Sequence, residues 1–343
     1  MTTNTNLKMK KKRRNKKKKS PWKRLFFLIA FTLLFTIVTG PFILLYGPFN
    51  NAKKIYVGSA MNTLSHQYLA TAFLSQDKIN EILSSSDDST DNMPANASVV
   101  NVNKKADDSI ERYDFEGKRF KGYMLVINDP HRVKVAYTGS LNKQGETTSQ
   151  MAEKNDAVAA INGGAFIDQS STVSSSGNGG TPTGLIMSDG KIIFSDLKSN
   201  STKSVCMAIT EDGTLLAGEY SINDLKNKHT REALSFGPVL VSGGKALPLS
   251  GKNASQGMAP RTAIGQRADG SIVMVVTDGR SILDGMGATM NELQKIMLNE
   301  GKCVTAINLD GGKSATMYLN GEIINTLSNG LGERSIVSSI IVK

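Results

Sequence analysis

The run Asn308-Leu309-Asp310-Gly311-Gly312-Lys313-Ser314-Ala315-Thr316 places an amide, a carboxylate and a hydroxyl within seven residues. It follows the apolar run Val304 to Ile307 and precedes Met317 to Leu319, so a strand ends here in an Asx-Gly-Gly turn and a second strand begins. Glycines let backbone N–H groups approach a ligand, and successive N–H groups can form an anion nest. Reversing the chain needs only an Asp-Gly or Gly-Gly pair. The flanking polar groups are therefore candidates for a site. Gly311-Gly312-Lys313-Ser314 lacks the upstream glycine of a P-loop, whose full spacing is required for nucleotide binding.

Four more segments carry similar chemistry. Ala157 to Ile161 is an apolar strand ending in Asn162-Gly163-Gly164-Ala165-Phe166. Pro260-Arg261-Thr262-Ala263-Ile264-Gly265 leads into a hairpin. Ile272 to Val276 ends in Thr277-Asp278-Gly279-Arg280, and Glu333-Arg334-Ser335 opens the last strand, Ile336 to Val342. Three of these five are buried strands whose C-terminal ends open into polar, glycine-containing turns. Strand ends that converge on one rim form a site on a rigid scaffold. The set offers two carboxylates, Asp278 and Asp310; three guanidiniums, Arg261, Arg280 and Arg334; and two amides, Asn162 and Asn308. Guanidinium forks fit phosphate oxygens, and amides and carboxylates fit sugar hydroxyls. The combination suits a sugar bearing a phosphate.

The elements that must position these residues follow from texture. From Tyr113 onward the chain is a series of short strands and turns. Tyr123 to Ile127 and Val133 to Tyr137 flank Asn128-Asp129-Pro130. Asp189-Gly190, Asp212-Gly213, Asp269-Gly270 and Gly243-Gly244 are hairpin signals. Thr289 to Glu300 reads as a helix, with Thr289 as cap, Met290, Leu293, Ile296 and Met297 as its apolar stripe and Gly301 as its stop. Many strands and few helices predict an α+β fold, a single mixed-sheet catalytic-type domain over residues 111–343. Lys54 to Leu83 reads as one amphipathic helix, so residues 47–84 are expected to be a helical stalk, and residues 85–110, rich in Ser, Asp and Asn, a flexible linker.

The net charge of +11 is concentrated at one end. Residues 1–24 hold twelve Lys or Arg and no acid, so +11 less these twelve leaves the other residues at −1. A near-neutral body carries no field for nucleic acid, and no nucleic-acid partner is expected. Leu25 to Tyr46 has no charged residue, and its 22 residues span ~33 Å as a helix, enough to cross a bilayer core. A basic tail before an apolar span is held in the cytoplasm. The span is too long for a cleaved signal peptide and no small-x-small site follows. Residues 25–46 are therefore expected to be an uncleaved transmembrane signal anchor at the cell membrane, with residues 1–24 cytoplasmic and the C-terminal domain extracytoplasmic. Cys206 and Cys303 lie in strand-like contexts, and two buried free thiols are the simpler reading. No His/Cys cluster has zinc spacing. No cofactor is implied; a divalent ion between Asp278, Asp310 and a phosphate stays open.

Taken together, the five segments resemble the phosphodiester glycosidase family. The order Asn-Gly-Gly-x-Phe, Arg-Thr-Ala-Ile-Gly, Asp-Gly, Asn-Leu-Asp-Gly-Gly-x-Ser and a final arginine is similar over about Tyr113 to Lys343. Ala165 stands where the family often has an aromatic residue, and Lys313 where it often has glycine. The resemblance implies hydrolysis of a sugar-1-phosphodiester at the anomeric carbon, in envelope or exopolysaccharide metabolism. It makes Asp310 and Asp278 the expected catalytic carboxylates, with their separate roles open. Asn162, Gly163, Gly164, Arg261, Thr262, Arg280, Asn308, Gly311, Gly312, Ser314 and Arg334 are the expected substrate-binding residues. The alternative is a non-catalytic glycopolymer-binding accessory protein of envelope polysaccharide assembly.

Overall fold

A computed structural model describes residues 21–61, 67–84, 100, 102, 107–167, 179–249, 256–279, 285–328 and 332–343. The hairpin signals all close hairpins. Asp189-Gly190 joins β7 (Leu185–Ser188) to β8 (Lys191–Ser195), with φ of +47° and +74° at the two turn residues. Positive φ at both central positions is the turn that matches strand twist. Asp212-Gly213 joins β9 (Ser204–Thr210) to β10 (Leu215–Tyr220), and Asp269-Gly270 joins β14 (Arg261–Arg267) to β15 (Ile272–Thr277). Gly243-Gly244 joins β12 (Val239–Ser242) to β13 (Lys245–Ala246).

Three sheets result. The largest has the order β1 (Ile110–Gly117), β2 (Phe120–Ile127), β15, β14, β16 (Cys303–Leu309), β12, β13. A second runs β10, β9, β11 (Thr230–Ser235), β7, β8. The third runs β18 (Glu322–Ile323), β17 (Met317–Leu319), β4 (Ala159–Asn162), β19 (Ser338–Val342), β3 (Val133–Tyr137). A two-stranded ribbon, β5 (Phe166–Ile167) and β6 (Thr181–Pro182), completes the strands. The α+β class with few helices holds, and every ladder between these strands is antiparallel. The strands on either side of Asn128-Asp129-Pro130 do not pair. A short 3₁₀ turn, Pro130–Arg132, carries the chain from β2 in the first sheet to β3 in the third.

One face of each sheet meets in a shared core that includes Leu125, Ile161, Ile209, Ile264, Met274, Ile307 and Ile340. The opposite faces are covered by helices. Met290–Lys295, continued by a π-helical turn Ile296–Glu300, buries Met290, Leu293, Ile296 and Met297 against the seven-stranded sheet. Its start is a reciprocal cap, in which the Glu292 N–H donates to Thr289 Oγ1 and the Thr289 N–H to the Glu292 carboxylate. Cys206 and Cys303 are free, buried thiols in different sheets, and burial pushes both up to about 12.

At the N-terminus, Pro21–Tyr46 is one helix, ~39 Å long. Within it Arg24–Tyr46 is long and apolar enough to cross a membrane. Thr32, Thr36 and Thr39 each return their hydroxyl to the carbonyl four residues back, so the threonines present no unpaired donor. The predicted helix Lys54 to Leu83 is instead three pieces, Asn50–Met61, Tyr68–Thr71 and Gln76–Ser84. They fold on one another around Leu45, Val57, Ala60, Ala70, Leu74, Ile79 and Ile82. The break before the last piece is local: Ser75 caps it, its hydroxyl accepting from the Lys78 N–H at 3.3 Å.

The second and third sheets meet through side chains. No described strand pairs with the outer edge of β3, yet Glu232 accepts from the Val135 N–H at 2.9 Å and Ser188 donates to the Val135 carbonyl at 2.8 Å. Glu232 is wholly buried, and its second oxygen has no hydrogen-bond partner among the described residues. Burial pushes its carboxyl up from 4.5 to about 7, against the pull of the Val135 N–H and of Arg231, whose Nε lies 3.8 Å away. The native state therefore holds a proton that the unfolded chain releases at lower pH. Stability falls as pH rises from about 4.5 to about 7, by at most roughly 3 kcal/mol. Glu232→Gln keeps the acceptor and should flatten this decline, read as the melting temperature of the detergent-solubilised chain across that window.

Candidate active site

The antiparallel register brings the predicted segments together. Arg261 pairs with Thr277 and Thr262 with Leu309, so the start of β14 lies beside the ends of β15 and β16. Pro260 to Thr262, Thr277-Asp278 and Leu309-Asp310 therefore share one end of the seven-stranded sheet. β4 delivers Asn162 to the same place from the third sheet.

Asn162 is 1% exposed and joins the start of β14 to the turn after β16. Its Oδ1 accepts from Thr262 Oγ1 at 2.7 Å and from the Thr316 N–H at 3.2 Å, and its Nδ2 donates to the Asp310 carbonyl. The Asp310 N–H donates in turn to the Gly163 carbonyl at 3.2 Å. Gly163 and Gly164 donate their N–H groups to the carbonyl and hydroxyl of Ser338. These amides and hydroxyls, expected to bind substrate, are committed to holding the rim together. The reason is placement: Asn162 ends a strand between two other elements, and its polar atoms are the nearest partners for theirs.

The Asn308–Thr316 turn is held equally firmly. Gly312 adopts φ of +62° and donates its N–H to the Pro260 carbonyl at 2.8 Å. A Cβ at Gly311 would lie 2.7 Å from that same carbonyl, so only glycine allows the approach. Asp310 is partly exposed at the head of this turn and Lys313 is exposed. Ser314 and Asn308 are 1% and 3% exposed, yet Ser314 Oγ and Asn308 Oδ1 have no hydrogen-bond partner among the described residues. Asn308 Nδ2 is held by the Gly237 carbonyl at 2.8 Å, which fixes the direction of its free oxygen.

Asp278 is a different kind of carboxylate. It is wholly buried, accepting from the Thr326 N–H at 2.9 Å and from the Tyr123 hydroxyl at 3.1 Å. Burial raises its pKa above the ordinary aspartate value, opposed by the hydrogen bonds from Thr326, Tyr123 and Asn325. Burial, then the Asp278 charge, pushes the Tyr123 phenol up to about 12, so Tyr123 remains a donor. Asn325 places Thr326 by accepting from the Met317 N–H and donating to the Ala315 carbonyl. Asp278 is thus tied to the Asn308–Thr316 turn through the segment that follows it.

The arginines divide. β14 alternates, so Thr262 faces Asn162 while Arg261 faces the other side of the sheet. There Arg261 is 8% exposed and donates to the carbonyls of Ala288 and Gly257 and to Gln256 Oε1. It braces the segment whose Pro260 carbonyl holds Gly312. Arg334 lies over the Phe166 ring, 4.9 Å from its centre, at the far end of the Asn162 loop. The neighbouring Glu333 is anchored by the N–H and hydroxyl of Ser149, at the start of the helix Thr148–Lys154. Arg280 lies outside the described residues.

Sequence reasoning missed Tyr123, Asn325, Thr326 and Ser338. Tyr123 alone carried a signal, a phenol at the head of the apolar run Tyr123 to Ile127. Asn325 and Thr326 sit in a short polar stretch and Ser338 begins a buried strand, and the partners of Thr326 and Ser338 are distant in sequence. Two clefts of about 410 and 400 Å³ lie elsewhere, one lined by Gln144, Glu146 and Lys154 and the other by Glu211, Asp212 and His229. Neither gathers the polar turns, so the rim is the stronger candidate. Among the described residues no group of three His, Cys, Asp or Glu side chains is placed to hold a metal.

Fold and rim define an α+β domain with its candidate site on loops at one end of packed antiparallel sheets. The chain belongs to the phosphodiester glycosidase family, whose profile matches residues 155–343. It is 31% identical over 215 residues to the SPbeta prophage-derived uncharacterized protein YomE of Bacillus subtilis, covering 60% of this chain and 31% of that one. It is 26% identical over 230 residues to mouse N-acetylglucosamine-1-phosphodiester alpha-N-acetylglucosaminidase, covering 61% of this chain and 42% of that one. The chain thus spans 31% and 42% of the length of these two relatives. The same fold occurs in the catalytic domain of the zebrafish N-acetylglucosamine-1-phosphodiester alpha-N-acetylglucosaminidase, with a TM-score of 0.58 at 23% identity, over 71% of this chain and 86% of that one.

The Asn162 junction can be tested directly. Asn162→Asp replaces a donor with a carboxylate oxygen against the Asp310 carbonyl. It should lower stability by roughly 2–3 kcal/mol, the cost of an unsatisfied buried group, as read from chemical denaturation.

Proposed function

We propose that this chain is a membrane-anchored extracytoplasmic hydrolase that cleaves a sugar-1-phosphodiester at the glycosidic bond to phosphate, in envelope or exopolysaccharide metabolism. The observation that carries the reading is the Asn308–Thr316 turn. It holds a partly exposed carboxylate, Asp310, between two buried polar atoms that lack a partner among the described residues, Asn308 Oδ1 and Ser314 Oγ. Buried polar groups are normally satisfied, and in this reading a ligand's hydroxyl groups are the partners of these two.

In this reading Asp310 faces the anomeric carbon, and Asn308 and Ser314 fix the sugar. A phosphate leaves as an anion and needs less help from a general acid than a sugar alkoxide does. Cations placed where its charge develops do that work; among the described residues the rim segments carry Arg261, whose guanidinium is held by Ala288, Gln256 and Gly257, together with Arg334 and Lys313. Asn162, Thr262, Gly163, Gly164, Gly311, Gly312 and Arg261 position the turn. Asp278, buried and drawn toward its protonated form, holds the Thr326 segment against it. Residues 1–24 lie in the cytoplasm, residues 25–46 span the membrane, and the sheet domain lies outside; the expected linker, residues 85–110, falls mostly outside the described residues, and its last residue, Ile110, begins β1.

Aryl sugar-1-phosphodiester hydrolysis is the direct assay. Asp310→Asn should leave the melting temperature near that of the parent and lower the rate by 10²–10⁴-fold, about the size of a positioned acid–base group. A folded Asp310→Asn protein with the parental rate would remove Asp310 from the chemistry. Ser314→Ala should raise KM more than it lowers kcat, since its hydroxyl binds sugar in ground and transition states alike.

One observation favours a second reading. Glycoside cleavage usually employs two carboxyl groups at the bond, and Asp278 is wholly buried with both oxygens bonded. A rim from which Asp278 is withdrawn suits a glycopolymer-binding accessory protein. Glycopolymer binding by the parent chain without release of free sugar, under any divalent-ion condition, would select this reading.

A further inference from the structure

The three short helices after the anchor form a cap whose depth follows from helix rise. Within Pro21–Tyr46 every residue from Arg24 to Val38 is exposed, whereas Thr39, Gly40, Pro41 and Leu44 are half-buried and Leu45 is buried. Leu45 is covered by the cap, whose apolar cluster it joins. Phe42 packs edge-on against Phe73 with ring centres 5.6 Å apart, and the Tyr46 hydroxyl donates to the Phe73 carbonyl at 2.6 Å. Counted from Leu25, Thr39 lies ~21 Å and Phe42 ~26 Å along the helix, both inside a hydrocarbon core of about 30 Å. Phe73 therefore sits at a depth that the bilayer occupies.

The cap is built with two unlike sides. Gln67 to Ser75 contains no charged residue and exposes Tyr68 at 60%. The next helix, Gln76–Ser84, exposes Asp77, Lys78 and Glu81, the last two as an ion pair at 2.7 Å. Aromatic rings with a polar tip concentrate at the membrane–water boundary, and charged side chains stay in water.

Resting on the anchored topology above, we propose that the cap is a lipid-binding surface. Its Tyr68–Phe73 side is seated in the headgroup boundary of the outer leaflet and its Gln76–Ser84 side faces water. The cap is then a platform in the interface, continuous with the spanning helix, rather than a stalk standing above the membrane. The sheet domain is tethered close to the lipid surface, where a membrane-attached glycopolymer would present its first sugars.

The chain has one tryptophan, Trp22, so fluorescence can report a single position in the Trp22→Phe background. The full chain is placed in phosphatidylcholine–phosphatidylglycerol vesicles with lipids brominated near the headgroup or near the chain end. Three reporters are compared: Phe31→Trp in the span, Tyr68→Trp in the cap and Lys198→Trp on the exposed surface of the sheet domain. The expected result is that Phe31→Trp loses fluorescence to deep bromines, Tyr68→Trp to shallow bromines with a blue-shifted maximum, and Lys198→Trp to acrylamide alone. Tyr68→Trp quenched like Lys198→Trp, with Phe31→Trp still lipid-quenched, overturns the platform and leaves the anchor standing. Phe31→Trp quenched only from water overturns the anchor and the platform together.

Discussion

Asn162 carries the constraint on which the rest of this domain depends. Standing in the third sheet, its amide hydrogen-bonds at once to β14 of the first sheet and to Asp310 and Thr316 of the turn between the two. A buried amide that satisfies acceptor and donor capacity in this way is worth little in net stability. Unmade, it leaves several desolvated groups without partners. That asymmetry favours a single relative placement of the two sheets. The glycines around it serve the same end, because the backbones of Gly163 and Gly311 run so close to Ser338 and Pro260 that no side chain fits.

Around this junction the two aspartates take opposite characters. Asp310 belongs to a turn pinned through backbone groups, which leaves its carboxylate partly exposed. Asp278 continues the line of β15 into the interior and is held by Tyr123 and Thr326, with burial disfavouring its charge. Here the separation comes from sheet geometry, since one residue ends at the rim and the other beneath it.

Much of this was legible in advance. Each Asx-Gly or Gly-Gly pair marked a hairpin because turn chemistry acts over two residues and needs no distant partner. Thr289 announced a helix start for the same reason. The convergence of Asn162, Asp278 and Asp310 on one end of the sheets was visible as polar glycine turns following apolar strands. Less legible was what each polar atom would do. Arg261 reads as a phosphate ligand, but strand alternation turns it to the face opposite Thr262, where carbonyls take its N–H groups. The cap defeated periodicity differently: apolar residues spaced for one helix face also suit three short helices folded on each other, and only Ser75 hinted at the break.

By itself the sequence determined the apolar N-terminal helix, the strand-and-turn texture, the hairpins and the identity of the polar turns, because each depends on residues near one another in the chain. Tertiary structure alone decided that β2 and β3 part into different sheets, that Glu232 and Ser188 close the edge of β3, and that Tyr123 and Thr326 own the oxygens of Asp278. Those outcomes rest on hydrogen bonds across roughly fifty to one hundred and fifty residues. Such partners are selected by which groups burial leaves side by side, and that is settled only when the sheets pack.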